Sequence, residues 1–249
     1  MRAYFTALFF FSISLGALAQ YNKSWKGYFS FNQITDLAQS SNKLIASSEN
    51  AILIQDVLTG NIKTLNTVDG LSGLTITAVY YSSSLKKILI GYENGLMIVY
   101  NEVDGSILNV VDILNKSIPQ NVKRVNHFMD VDGIIYVSCD FGIVQYNLNT
   151  LQFGDTYFIG PGGSQINISQ TTVFNGRIYA ASKTNGIYSA DLNNPNLNDY
   201  NQWLNVSSFG CVAVERTGTN LVAVTNSGNL QRWQGSSFGS LSQLPEAAV

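Results

Sequence analysis

One arrangement recurs five times along this chain and limits what it can fold into. The segments NKLIASSENAIL (residues 42–53), KKILIGYENGLM (86–97), GIIYVSCDFGIV (133–144), GRIYAASKTNGIY (176–188) and NLVAVTNSGNLQ (220–231) share one plan. Each reads as an alternating apolar strand, a short polar turn, and a small residue opening a second strand. Anchored on Ala51, Gly95, Gly142, Gly186 and Gly228, the repeats lie 44, 47, 44 and 42 residues apart. A strand-built period of ~40–50 residues, with no helical 3.6-residue periodicity between the strands, predicts an all-β fold: β-propeller blades of four antiparallel strands rather than a solenoid of helix pairs.

The pattern of period two sketches each blade. In the second, residues 75–81 are the innermost strand, 87–91 the next, 95–100 the third and 107–111 the outer one. Hairpins are due at residues 82–84, Asp104-Gly105, Asp132-Gly133, Asn175-Gly176 and Gly218, where Gly and Asn accept the positive φ of tight turns. Inner-strand residues Ile76, Val79, Val125, Phe128, Val173 and Val212 are placed against neighbouring blades, so the sheets are expected to be buried on both faces. A composition of 45% hydrophobic and 12% aromatic residues supplies that core.

Five blades fit, at about residues 31–66, 75–112, 122–160, 168–205 and 211–244 of a propeller domain over residues 20–249. Residues 20–30 contain no spare outer strand to complete the fifth blade, so the chain is read as the front part of a longer one and the ring as incomplete. An incomplete ring exposes apolar sheet faces and an unpaired edge, which predicts aggregation of this chain alone.

The N-terminus reads as an address. Met1-Arg2, an apolar run from Tyr4 to Leu18 and the small-residue site Ala17-Leu18-Ala19 before Gln20 make a signal peptide over residues 1–19. The run is shorter than the ~18–20 residues of a membrane span, and no later segment could cross as a helix. Cleavage leaves 230 residues with 13 basic and 16 acidic groups, which excludes a basic nucleic-acid binder. Export permits disulfides, but Cys139 and Cys211 fall two blades apart and are expected to be free, buried thiols.

Catalytic patterns are few and poorly placed. Gly235-Ser236-Ser237-Phe238-Gly239 matches a nucleophile elbow, yet the single histidine, His127, precedes the serine and no strand-to-helix turn is due there. Ser83-Ser84-Leu85-Lys86 joins two strands of a hairpin instead of opening a helix. Gly160-Pro161-Gly162-Gly163 lacks the helix N-terminus of a phosphate cradle. Asp130-Val131-Asp132-Gly133 falls on a hairpin and lacks the later acidic ligand of a calcium loop. His127 is read as a hydrogen-bonded strand residue. No catalytic residue, metal site or cofactor is assigned.

Binding remains. The turn between second and third strands recurs at one mouth of the ring, where propellers usually bind. It carries Glu49-Asn50, Tyr92-Glu93-Asn94, Asp140-Phe141, Lys183-Thr184-Asn185 and Asn226-Ser227. Tyr92, Glu93, Asn94, Asp140, Phe141 and Asn185 are the candidate binding residues, since rings stack on a sugar or protein loop and amides donate and accept. The same Asn and Gly residues also satisfy the turns themselves.

Residues 69–100, DGLSGLTITAVYYSSSLKKILIGYENGLMIVY, resemble the two-component-regulator propeller repeat. The Trp25-x-x-Tyr28 pair, residues 89–95, DFGIV at 140–144, DTYFIG at 155–160 and residues 176–188, in that order, resemble the N-terminal propeller of PorZ-type proteins of the Bacteroidetes type IX secretion system. That resemblance implies a seven-bladed ring, of which this chain holds about five blades, and a non-catalytic protein of the cell surface and outer membrane. It implies as partners the sortase of that system and anionic lipopolysaccharide, presented for attachment to secreted cargo. The alternative is the periplasmic sensor propeller of a two-component regulator, which needs a membrane span and a signalling domain downstream. A propeller enzyme would need paired acids or a base at one mouth, and the sequence offers no such pair.

Overall fold

The second blade shows what the alternation of apolar residues produces. Along the strand Lys87–Tyr92, the side chains of Ile88, Ile90 and Tyr92 enter one buried cluster while Leu89 enters another; along Met97–Asn101, Ile98 and Tyr100 join the first and Met97 and Val99 the second. A sheet buried on both faces follows directly. The computed structural model describes residues 29–243, and the signal-peptide stretch 1–19 and the Trp25–Tyr28 pair lie outside them.

Five four-stranded sheets stand in chain order, and within each sheet every strand is antiparallel to its neighbours. The first blade comprises β1 (Asp36–Gln39), β2 (Lys43–Ser47), β3 (Ile52–Asp56) and β4 (Ile62–Leu65); the second β5 (Ile76–Ser82), β6 (Lys87–Tyr92), β7 (Met97–Asn101) and β8 (Ile107–Val110). The third holds β9 (Val125–Val131), β10 (Ile134–Cys139), β11 (Gly142–Asn147) and β12 (Gln152–Tyr157). The fourth holds β13 (Gln170–Phe174), β14 (Arg177–Ser182), β15 (Gly186–Asp191) and β16 (Leu204–Ser207), and the fifth β17 (Cys211–Thr217), β18 (Asn220–Thr225), β19 (Asn229–Trp233) and β20 (Phe238–Gln243). These are propeller blades, as the repeat predicts. The anchor residue behaves in two ways: Gly142 and Gly186 open the third strand, whereas Gly95 and Gly228 close the preceding turn at φ +88° and +78°.

Four apolar clusters join the five blades. Ile45 and Ile54 meet Ile90 and Tyr100 between blades one and two; Ala78 and Leu89 meet Phe128 and Val137 between two and three. Tyr136 and Ile143 meet Ile178 and Tyr188 between three and four, and Tyr179 and Ile187 meet Val214 and Ala223 between four and five. The inner strands β1, β5, β9, β13 and β17 touch in that sequence, with no comparable contact of β17 on β1 among the described residues. Burial on both faces holds for the inner blades, and the two end blades each show a more open face, as expected of an incomplete ring. Leu37 of β1 is 58% exposed, and Val212, Val222 and Val224 on the last blade are only half-buried, with no neighbouring sheet over them among the described residues. Cys139 and Cys211 are free and buried in different clusters, where desolvation pushes both thiols up, that of Cys211 to about 11. Among the described residues no helix is long and apolar enough to cross a membrane.

Candidate functional site

The turns between second and third strands share one end of the blades with the segments that lead into the innermost strands, and backbone bonds tie the two together. Ile76 N–H donates to the Glu49 carbonyl at 2.8 Å, Glu93 N–H to Thr75 at 3.2 Å, Asp140 N–H to Arg124 at 3.2 Å and Asn226 N–H to Gly210 at 3.0 Å. Adjacent turns are also joined side by side, Asn226 Nδ2 donating to the Lys183 carbonyl at 2.8 Å.

The six candidate binding residues divide sharply on this face. Tyr92 and Phe141 are wholly buried, so neither ring can stack on a partner. Tyr92 is the last residue of β6, opposite Ile76, and its place in the pleat sends the ring into the core between blades one and two. Phe141 sits in a two-residue hairpin closed by the Cys139–Gly142 pair and packs on Phe158, ring centres 6.1 Å apart. The aromatic part of the predicted rim is core.

The polar four are at the surface but largely committed to the fold. Asn94 Oδ1 accepts from Leu96 N–H at 3.0 Å while its carbonyl accepts from Gln120 Nε2 at 3.1 Å. Asn185 pairs with the Thr184 hydroxyl at 2.6 Å, and its carbonyl accepts from Asn205 Nδ2 at 2.8 Å. Asp140 Oδ1 accepts from Asn126 Nδ2 at 2.8 Å and from Asn167 Nδ2, so it clamps blade three to the entry of blade four. Glu93 alone is exposed with no side-chain hydrogen bond among the described residues.

Beside these turns lies a polar recess of about 500 Å³ lined by Ser30, Asn32, Gln33, Thr35, Glu49 and Thr75. Only Glu49 of this set belongs to the recurring turn. The rest come from connections into inner strands, which vary from blade to blade, so the repeat could not reveal them. Hydroxyls, amides and one carboxylate there can orient a polar ligand, and no hydroxyl of the set hydrogen-bonds the Glu49 side chain among the described residues.

The other sequence patterns resolve into structure. Ser83 and Lys86 lie in the β5–β6 hairpin, where Lys86 takes φ +53°, and Ser237 lies in the turn closed by Gln234 N–H on its carbonyl at 2.8 Å. Residues Pro161–Gly163 form a single turn of 3₁₀ helix between blades. Asp130 has both oxygens engaged, Oδ1 by Gly133 N–H and Oδ2 by the Tyr80 hydroxyl, each at 2.7 Å. His127 is the strand residue expected, paired with Ser138 in β10, but its side chain corrects the expectation of a hydrogen bond: Nδ1 is buried without a partner among the described residues, and desolvation lowers its pKa to about 4. No group of His, Cys, Asp and Glu able to hold a metal occurs among the described residues.

This geometry can be set beside known proteins. The family described as "TSS9, PorZ, N-terminal beta-propeller domain" matches residues 44–204, more than half of the chain. A solved structure of PorZ, titled an essential bacterial surface component of the type-IX secretion system of Porphyromonas gingivalis, superposes with a TM-score of 0.74 at 17% identity. It covers 90% of this chain, which spans only 30% of that protein's length. The computationally designed Ika8 protein shares the architecture at TM-score 0.54 and 17% identity, over 86% of this chain and 76% of its own. The designed Ika4 protein does so at 0.50 and 17%, over 68% and 96%. No curated protein matches. Five consecutive blades and a family match across the first four make the conclusion plain: the chain belongs to the PorZ N-terminal β-propeller family of the type IX secretion system.

Proposed function

We propose that this chain is a non-catalytic, exported binding component of type IX secretion, acting at the cell surface to present anionic lipopolysaccharide to the sortase for attachment to secreted cargo. The observation that carries the reading is the family match over residues 44–204. The amides and hydroxyls of the recess described above suit the polar part of such a ligand. Recognition by such groups holds a hydrated, polar ligand through many modest hydrogen bonds. The N-terminal address over residues 1–19 belongs to the same reading.

Deletion of the gene tests it. Cargo should then leave the cell without its lipopolysaccharide anchor and reappear on the surface when the gene is restored. Normal surface attachment of cargo in the deletion strain would end the proposal. Terminal sequencing of the mature protein should begin at Gln20.

A further inference from the structure

Between blades four and five the outer part of the wedge stays open as a cavity of about 430 Å³, walled by Tyr179, Leu204, Val206 and Trp233, with Arg177 and Ser236 at its sides. The preceding interface is finished differently. There the excursion between β15 and β16 brings in Leu197 and Trp203, each 5% exposed. The Trp203 ring lies 6.3 Å from that of Tyr157 on blade three, and its indole N–H donates to the Leu197 carbonyl at 2.8 Å. Blade five makes only a short turn at the corresponding place, between Trp233 and Phe238, so no segment plugs its wedge among the described residues.

Two groups in the cavity are left over. Trp233, half-buried, meets Tyr179 and Phe238 edge-on, at 6.0 and 5.1 Å between ring centres, and its indole N–H, open to solvent, makes no hydrogen bond among the described residues. Arg177 is the one charged side chain in the lining. Its Nε and Nη2 are held by Ser189, at 2.9 Å to the hydroxyl and 3.2 Å to the carbonyl, and it makes no ion pair among the described residues. Asp191, opposite Arg177 in the sheet, instead accepts from the Asn193 amide at 2.9 Å.

We propose that this cleft receives an extended segment of a partner polypeptide: a bulky aliphatic side chain in the cavity, a main-chain carbonyl on Trp233 Nε1, and a nearby carboxylate on Arg177. The chain's own plug displays the first two of these, Leu197 burying its side chain and offering its carbonyl to Trp203. Asp199, two residues later, is held by Asn201 and Gln202 and leaves the carboxylate to be supplied by charge complementarity with Arg177. Leu204, 60% exposed, gives the occupant apolar surface to cover. A guanidinium already fixed by Ser189 keeps its remaining N–H groups oriented for a carboxylate at little entropic cost. Mainly apolar walls favour a side chain over a sugar, which would need more polar partners. The inference does not rest on the secretion role proposed above.

The probe is the acetylated and amidated hexapeptide Pro-Asn-Leu-Asn-Asp-Tyr, the sequence of residues 195–200, titrated into the intact chain carrying ¹⁵N-labelled tryptophan. The Trp233 indole resonance should move saturably while that of Trp203 stays still. Changing the peptide's aspartate to asparagine, or Arg177→Gln in the protein, should weaken binding about tenfold, the worth of one charge-assisted pair. A stationary Trp233 resonance, or equal affinity for the aspartate and asparagine peptides, would overturn the proposal even if the Arg177 variant fails to fold. Saturation by glucuronate but not by the peptide would overturn it in favour of an acidic sugar.

Discussion

The hydroxyl of Thr77, at the start of one innermost strand, donates across 2.6 Å to the main-chain carbonyl of Val125, at the start of the next. The contact repeats around the axis: Asn126 Nδ2 reaches the Ile168 carbonyl at 2.8 Å, and Ser169 Oγ reaches that of Cys211 at 3.2 Å. Thus in blades two, three and four one short polar side chain satisfies a carbonyl at the entry of the following blade, and fixes the height at which those sheets stack. The series stops at the last blade, where the half-buried Val212 follows Cys211.

Thr77→Val keeps the shape but removes the donor to both Val125 and Gly91 carbonyls. It should cost about 1–2 kcal/mol, because a buried carbonyl is left unmatched. Urea unfolding monitored by tryptophan emission would read this as a lower midpoint. An unchanged midpoint would show that the latch contributes nothing.

His127 should make the fold acid-sensitive. Its pKa falls from its ordinary value to about 4, so the unfolded chain binds the proton more readily between the two. The stability it contributes is complete above the unfolded value near 6.5 and is lost as pH drops toward about 4, on the order of 3 kcal/mol in all. His127→Phe should flatten the difference between unfolding midpoints at neutral and mildly acidic pH. Identical pH profiles for the two proteins would contradict this.

Asp36 works in the opposite sense. Burial raises its pKa, and two amides, those of Val79 and Leu37, each at 2.8 Å, only partly offset that. A raised folded value means its contribution is greatest at low pH and declines as pH rises through that value. Asp36→Asn can still accept from Val79 without carrying a buried charge. It should therefore melt higher than the parent at neutral pH, with no advantage in strong acid.

Two glycines should respond very differently to alanine. At Gly186, φ +87°, a methyl would lie 1.8 Å from the Ser207 carbonyl oxygen, which belongs to the paired outer strand. Gly186→Ala should cost about 3 kcal/mol or more, since backbone must move. At Gly105, φ +73° with open space around it, the same change should cost only about 1 kcal/mol.

Phe141→Ala separates core from rim. It empties a fully buried site against Phe158 and should destabilise by about 3–5 kcal/mol. Glu93→Ala, at an exposed side chain on the same face, should leave the melting temperature where it was. A Phe141 variant as stable as the parent would restore that ring to the binding surface.

The period of the repeat, the alternation along each strand and the Gly and Asn turns determined by themselves that this chain builds five four-stranded blades. These signals are local, because strand pleat and hairpin chemistry act within about ten residues. The same signals placed Tyr92 and Phe141 in turns but could not tell which way their rings point. Only the stacking of sheets more than forty residues apart decided that both rings are core, that Asp140 is spent on Asn126 and Asn167, and that His127 Nδ1 is buried without a partner among the described residues. The polar recess beside Glu49 and the Arg177–Trp233 cleft arise between segments that do not repeat, from shapes that exist only once the blades have met.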